Sequence, residues 1–249
     1  MEPRRQALVA DRQPGRPCEV TEQVYGVYTA AMRLPDTIRA VLLDMDGLLF
    51  DTERLFFEAM QAAGREAGHD VSLQLYTSLI GHTREATHRL LQAHFGPAFA
   101  PQAFHDTCHR HMDRLLETGL RMKPGVPELL DWLDGARLPR ALVTSSPRSS
   151  ADHHLAAFGL ADRFPVIVAH GDYRRGKPHP EPYLLAAQRL GVAPARCLAL
   201  EDSHNGVRAA AAAGAITVMV PDMLEPTDEM HRLGASVASD LHAVLRMLA

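Results

Sequence analysis

Two aspartates spaced i, i+2 stand directly after an apolar run. Asp44-Met45-Asp46-Gly47-Leu48-Leu49-Phe50-Asp51-Thr52 follows Ala40-Val41-Leu42-Leu43. Side chains alternate along a strand, so Asp44 and Asp46 begin on the same face. A glycine-containing loop then lets both lean toward one point beyond the strand's carboxyl end, where ligands bind in an open α/β sheet. Paired carboxylates there attract a hard cation and can do nucleophilic and acid–base work. Asp-x-Asp-Gly also occurs in calcium loops, but such a loop needs a glutamate at its twelfth position, and counted from Asp44 that residue is Leu55.

Three further segments carry chemistry. Leu142-Val143-Thr144-Ser145-Ser146-Pro147 ends an apolar run in hydroxyls, which can hydrogen-bond a phosphate oxygen with help from backbone N–H groups in the turn. Taken alone, Thr144 also reads as a helix N-cap. In Gly176-Lys177-Pro178-His179-Pro180 a lysine sits in a rigid loop, where it is either solvated or able to neutralise a phosphate and a nearby carboxylate. Leu198-Ala199-Leu200-Glu201-Asp202-Ser203 is a second apolar run that ends in carboxylates. Glu201 and Asp202 are adjacent and point to opposite sides, so only one should face the site directly unless the turn reorients them. Two acidic strand ends in one sheet repel each other and call for a cation.

The elements that must position these groups follow from periodicity. Apolar runs predict strands at 40–44, 140–144, 166–169, 197–201 and 216–220. Helices are expected from Pro127 to Leu133, Tyr183 to Leu190 and Gly206 to Ala213. Alternating strands and helices imply a doubly wound parallel α/β sheet. The stretch between the first two strands is far longer than a crossover needs, so an inserted domain is expected there. Leu55, Phe56, Ala59, Met60 and Ala63 share a helical face, as do Leu90, Leu91 and His94, then Met112, Leu115 and Leu116. The reading is a helical cap of three to five helices over 54–122, a core of 37–53 and 123–249, and a disordered extension over 1–36. Met32, just ahead of the first strand, offers an alternative start.

Composition bounds the remaining possibilities. The 249 residues are 46% hydrophobic and 22% charged, which suits a globular protein. A net charge of −4 with interspersed signs provides no basic footprint for nucleic acid. Cys18, Cys108 and Cys197 form no C-x-x-C pair, which points to a reducing compartment. No apolar run is long enough to span a membrane, and the first residues lack a signal peptide's apolar stretch, so a cytoplasmic location is expected. Nothing calls for an obligate assembly, and a monomer is expected.

In this order and spacing the four segments resemble the haloacid dehalogenase-like hydrolase superfamily. The likeness is to its members with a small helical cap after the first motif, such as beta-phosphoglucomutase-like and pseudouridine-5'-phosphatase-like enzymes, and covers about residues 38 to 240. The resemblance implies a Mg²⁺-dependent phosphatase acting on a small phosphorylated metabolite, a sugar phosphate or nucleoside monophosphate, through an aspartyl-phosphate. It implies Asp44 as nucleophile and Asp46 as acid then base. Thr144, Lys177 and the region of Ser145 would hold phosphate. Mg²⁺ would sit on Asp44, the Asp46 carbonyl and Asp202, with Glu201 acting through water. A dehalogenase is disfavoured by the presence of Asp46. A sugar phosphomutase is the alternative, but the mutase-like members carry a histidine where Phe56 stands here. A catalytically dead scaffold is a further class, disfavoured because no catalytic position is substituted. Within Ile80-Gly81-His82-Thr83-Arg84-Glu85, which resembles the substrate loop, Arg84 and more weakly His82 are substrate candidates. His105 with His109 and His153 with His154 are read as solvated helix faces, Trp132 and Tyr183 as packing residues, and Asp51 as a brace for the motif-one loop.

Overall fold

β-Branched and leucine-rich runs with no polar interruption form strands that are buried on both sides. In the computed structural model, which describes residues 34, 35, 37–82 and 84–249, six strands pair in parallel. They are β1 (Ala40–Leu43), β2 (Arg140–Pro147), β3 (Val166–His170), β4 (Cys197–Glu201), β5 (Ile216–Met219) and β6 (Ser236–Val237), in the order β3-β2-β1-β4-β5-β6. The expected strands are all present. β6, only two residues long, has no apolar run to announce it.

The two-residue alternation divides the sheet's faces. Val41, Leu43, Leu142, Leu198 and Leu200 point to one side, where they pack on α5 (Val126–Gly135), α6 (Arg148–Ala157) and α10 (Leu241–Leu248). Ala40, Leu42, Ala141, Val143 and Ala199 point to the other, against α7 (Glu181–Leu190) and α8 (His204–Ala212). A short α9 (Asp228–Arg232) follows β5. Leu34 is buried on the first face and its N–H donates to the Met247 carbonyl at 2.8 Å, so the packed core reaches back past position 37. The rest of the expected extension, apart from Pro35, lies outside the described residues or at single positions among them, as does the start at Met32.

Between β1 and β2 stand four helices before α5: α1 (Thr52–Ala67), α2 (Leu73–Leu79), α3 (Arg84–Phe95) and α4 (Pro101–Gly119). They enclose their own core of Met60, Ala63, Val71, Tyr76, Leu91 and Phe104. Leu91 is buried and Leu90 is 41% exposed, so the two do not share the inward face expected of them. α1 starts at Thr52, ahead of the expected boundary at 54. No helix among the described residues is long and apolar enough to cross a membrane.

Candidate active site

β1 is the strand from which the sheet's order runs outward in both directions, with β2 on one side and β4 on the other. In a doubly wound sheet that crevice, outside the strands' carboxyl ends, is where ligands bind. Leu43 is level with both Leu142 and Leu200, and the Asp44 N–H donates to the Leu200 carbonyl at 3.1 Å. The register therefore sets Asp44 beside Glu201 on one neighbour and beside Val143 on the other, with Thr144 one residue further on.

Two separate hydrogen-bond sets hold the motif-one aspartates. Lys177 Nζ donates to Asp44 Oδ1 at 2.5 Å, to Glu201 Oε1 at 2.5 Å and to the Val143 carbonyl at 2.9 Å. Asp46 Oδ2 instead accepts from Thr144 Oγ1 at 3.2 Å and Ser146 Oγ at 2.7 Å. Thr144 Oγ1 in turn accepts from the Ser146 N–H at 2.9 Å. Ser145 is exposed, and it is Ser146 that reaches Asp46. The same i, i+2 logic that pairs Asp44 with Asp46 pairs Thr144 with Ser146, a signal available in the sequence and not used.

The second acidic pair divides its work. Glu201 is wholly buried and saturated: besides Lys177 it accepts from Tyr183 Oη at 2.5 Å and Ser203 Oγ at 3.0 Å. Asp202 takes no hydrogen bond among the described residues, which leaves its carboxylate available. Gly206 and Gly47 make the fit possible. A Cβ on Gly206 would lie 1.8 Å from the Glu201 carboxyl carbon. One on Gly47 would lie 2.2 Å from Asp202 Oδ2, and the φ of +76° at Gly47 is itself a glycine conformation. Tyr183 is thus more than a packing residue. Its hydroxyl anchors Glu201, and its ring lies 5.2 Å from Lys177 Nζ.

The residues fit a divalent cation. Asp44, Glu201 and Asp202 each offer an oxygen, all within 4.8 Å of one another, and all three residues are buried. They face one ammonium, which leaves excess negative charge in a site with little water. Burial, reinforced by Glu201 and Asp46 and opposed by Lys177, raises Asp44 to about 8. Burial and then the neighbouring carboxylates push Asp202 well above the usual range. Burial alone would lower Lys177, but Asp44 and Glu201 more than reverse that and hold it protonated. An all-oxygen donor set with uncompensated charge suits a hard cation such as Mg²⁺ rather than a thiolate- or imidazole-seeking metal.

A model of the haloacid dehalogenase-like hydrolase family matches residues 38–214. The chain belongs to that family. Its relatives in this haloacid dehalogenase-like group include a phosphorylated carbohydrates phosphatase of Thermotoga maritima, 34% identical over 71% of this chain and 82% of that protein. A probable pseudouridine-5'-phosphatase of Drosophila melanogaster is 32% identical over 73% of this chain and 80% of its own. Among solved structures, a putative beta-phosphoglucomutase of Thermotoga maritima superposes with a TM-score of 0.70 at 30% identity, covering 85% of this chain and all of that one.

The helical insertion of this hydrolase contributes residues of its own near the site. Glu53, on the first turn of α1, accepts a short hydrogen bond from the Tyr76 hydroxyl. Burial raises Glu53 to about 7 against the Tyr76 bond, with Asp46 and Asp222 adding to the rise. Arg84 opens α3 and donates to Gln102 Oε1 at 3.3 Å; His82, just before it, is exposed. The two line one pocket with Glu53 and with His105, so His105 is not simply a solvated residue. Asp222, past β5, pairs with Lys123 at 2.6 Å, and its second oxygen is buried without a partner among the described residues. Glu53 closes the run from Asp44 that matches motif one, though its bond to Tyr76 comes from tertiary proximity; no motif marks Asp222. Asp51 does not brace its loop through the side chain: its carboxylate takes Arg54 Nε at 2.5 Å. The loop is closed by backbone bonds instead, from Gly47 to Phe50 and from Leu49 and Phe50 to Met45.

Proposed function

We propose that the protein is a Mg²⁺-dependent phosphatase that hydrolyses a small phosphorylated metabolite through an aspartyl-phosphate at Asp44. The observation that carries this reading is the separation of the two motif-one carboxylates: Asp44 is held by Lys177 and Asp46 by two hydroxyls. One is thereby kept as a charge-paired nucleophile, and the other is aimed independently as an acid and base.

In the first step an Asp44 oxygen attacks phosphorus, the bond from phosphorus to the ester oxygen breaks, and Asp46 gives its proton to the departing alkoxide. In the second, Asp46 takes a proton from a water molecule whose oxygen attacks phosphorus. The bond from phosphorus to Asp44 then breaks, releasing inorganic phosphate and restoring the Asp44 carboxylate and the protonated Asp46. Lys177 offsets the charge of Asp44 as an anionic phosphate approaches, and Thr144, Ser145 and the neighbouring amides receive phosphoryl oxygens. Mg²⁺, on the Asp44 and Asp202 carboxylates and the Asp46 backbone carbonyl with Glu201 behind them, would supply positive charge against the transferring group. Glu201 itself holds Lys177 in place. The helical insertion serves as the cap, with Arg84 and His82 on its substrate-facing loop. The enzyme works as a monomer in the cytoplasm. Phe56 has no proton to exchange, which favours hydrolysis over a mutase cycle.

Phosphate release from a panel of phosphorylated metabolites, with Mg²⁺ and with EDTA, tests this. Release should need the metal and fall more than about a thousandfold in Asp44→Asn. Undiminished turnover in that variant would remove Asp44 from the role.

A further inference from the structure

The cap carries a pocket that extends past the substrate-loop residues Ile80 to Arg84 to Phe56, Met60, His88 and His105. It has a volume of about 240 Å³ and begins at Glu53, whose carboxyl lies near enough to Asp46 and Asp202 to feel their charge. The pocket's loop is tied to the catalytic side: Asn205, just past Asp202, donates from Nδ2 to the Gly81 carbonyl at 2.5 Å. The pocket therefore adjoins the site where the phosphoryl group is transferred, and it is where a leaving group would lie.

Its walls are of two kinds. Phe56, Met60, Leu79 and Ile80 present apolar and aromatic surface. Arg84, which is exposed, and the half-buried His88 and His105 also line it. His88 Nε2 is buried with no hydrogen-bond partner among the described residues. The rings of His88 and His105 are 5.7 Å apart, and Arg84 Nη2 lies 3.5 Å from His105 Nδ1. Tyr76 and Thr87 line the pocket too, but the hydroxyls of a bare polyol that fell against Phe56 and Met60 would find no partner on those two side chains, which is costly. A planar ring buries its face there instead, and ring carbonyls are acceptors for the donors beyond.

Resting on the phosphatase reading above, we propose that this pocket takes the base of a nucleoside monophosphate, with Phe56 beneath the ring and His88 and Arg84 reading its carbonyl oxygens. The sugar then lies at Glu53, between the ring and the phosphate. Phe56, which counts against a mutase, here acquires a positive role.

Uridine 5'-monophosphate and ribose 5-phosphate share the sugar and the ester and differ in the base, so their kcat/KM ratio isolates the pocket. The nucleotide should be preferred at least about tenfold, and His88→Leu should cut that ratio about tenfold. Phe56→Leu, which keeps the volume apolar but removes the aromatic face, should lower the ratio as well and serves if His88→Leu fails to fold. p-Nitrophenyl phosphate is the control for the chemistry. Turnover of it with no preference for the nucleotide, or a ratio unmoved by both variants, overturns the pocket assignment alone. Silence toward all three compounds with Mg²⁺ present overturns the phosphatase reading and the assignment together.

Discussion

At the scale of single residues, the site is a set of carboxylates that folding has moved out of water, each dealt with differently. Glu201 is saturated with donors, Asp44 is charge-paired, and Asp202 is left open. Glu53 is the fourth, and it yields a pH prediction. Its raised pKa means the folded protein holds a proton that the unfolded chain has already lost. That contribution to stability is present below the ordinary 4.5 and disappears as pH rises through about 7. Glu53→Gln should therefore gain stability relative to wild type as pH rises across that window, reaching on the order of 2 kcal/mol above it. Urea unfolding in EDTA at several pH values measures this, and a constant difference would show that Glu53 does not titrate there. Residue by residue, Asp44, Asp46, Thr144, Glu201 and Asp202 were legible in the sequence because each ends or follows an apolar run, and Lys177 because it sits between a glycine and a rigid proline-rich loop. Tyr183, on α7, was legible only as bulk, since its partner Glu201 lies on a strand distant in sequence.

At the scale of elements, the strands read clearly because burial on both faces leaves unbroken apolar runs such as Ala40 to Leu43. The cap helices read less well. α3 has a single buried residue, Leu91, so its periodicity is weak, and neighbouring Leu90 was placed on the wrong face. The contrast can be measured. Leu91→Ala removes a fully enclosed side chain from the cap's own core and should cost about 2–4 kcal/mol. Leu90→Ala, at an exposed position, should stay within about 0.5 kcal/mol of wild type. Denaturant unfolding of the two variants checks the assignment, and equal losses would contradict it. β6 escaped notice for a simpler reason: two residues cannot establish a period.

At the scale of the whole molecule, a parallel sheet supplies fixed strand ends and the insertion supplies a wall that can differ between relatives. Register brings Asp44 level with Glu201 and sets Thr144 one residue past its level on the other neighbour, while Lys177 arrives from a loop and Glu53 from the cap. Arg54, bonded to Asp51, Glu58 and the Gly119 carbonyl, ties the cap's entry to its exit. The account's central claim is that the phosphoryl group passes through Asp44. Acid-quenched protein, caught during turnover with Mg²⁺, can be digested with trypsin and the peptide spanning 40–54 weighed. One added phosphoryl group on that peptide, absent in Asp44→Asn, is the predicted result. Steady phosphate release with the peptide never modified, or with the label on another segment, would contradict it.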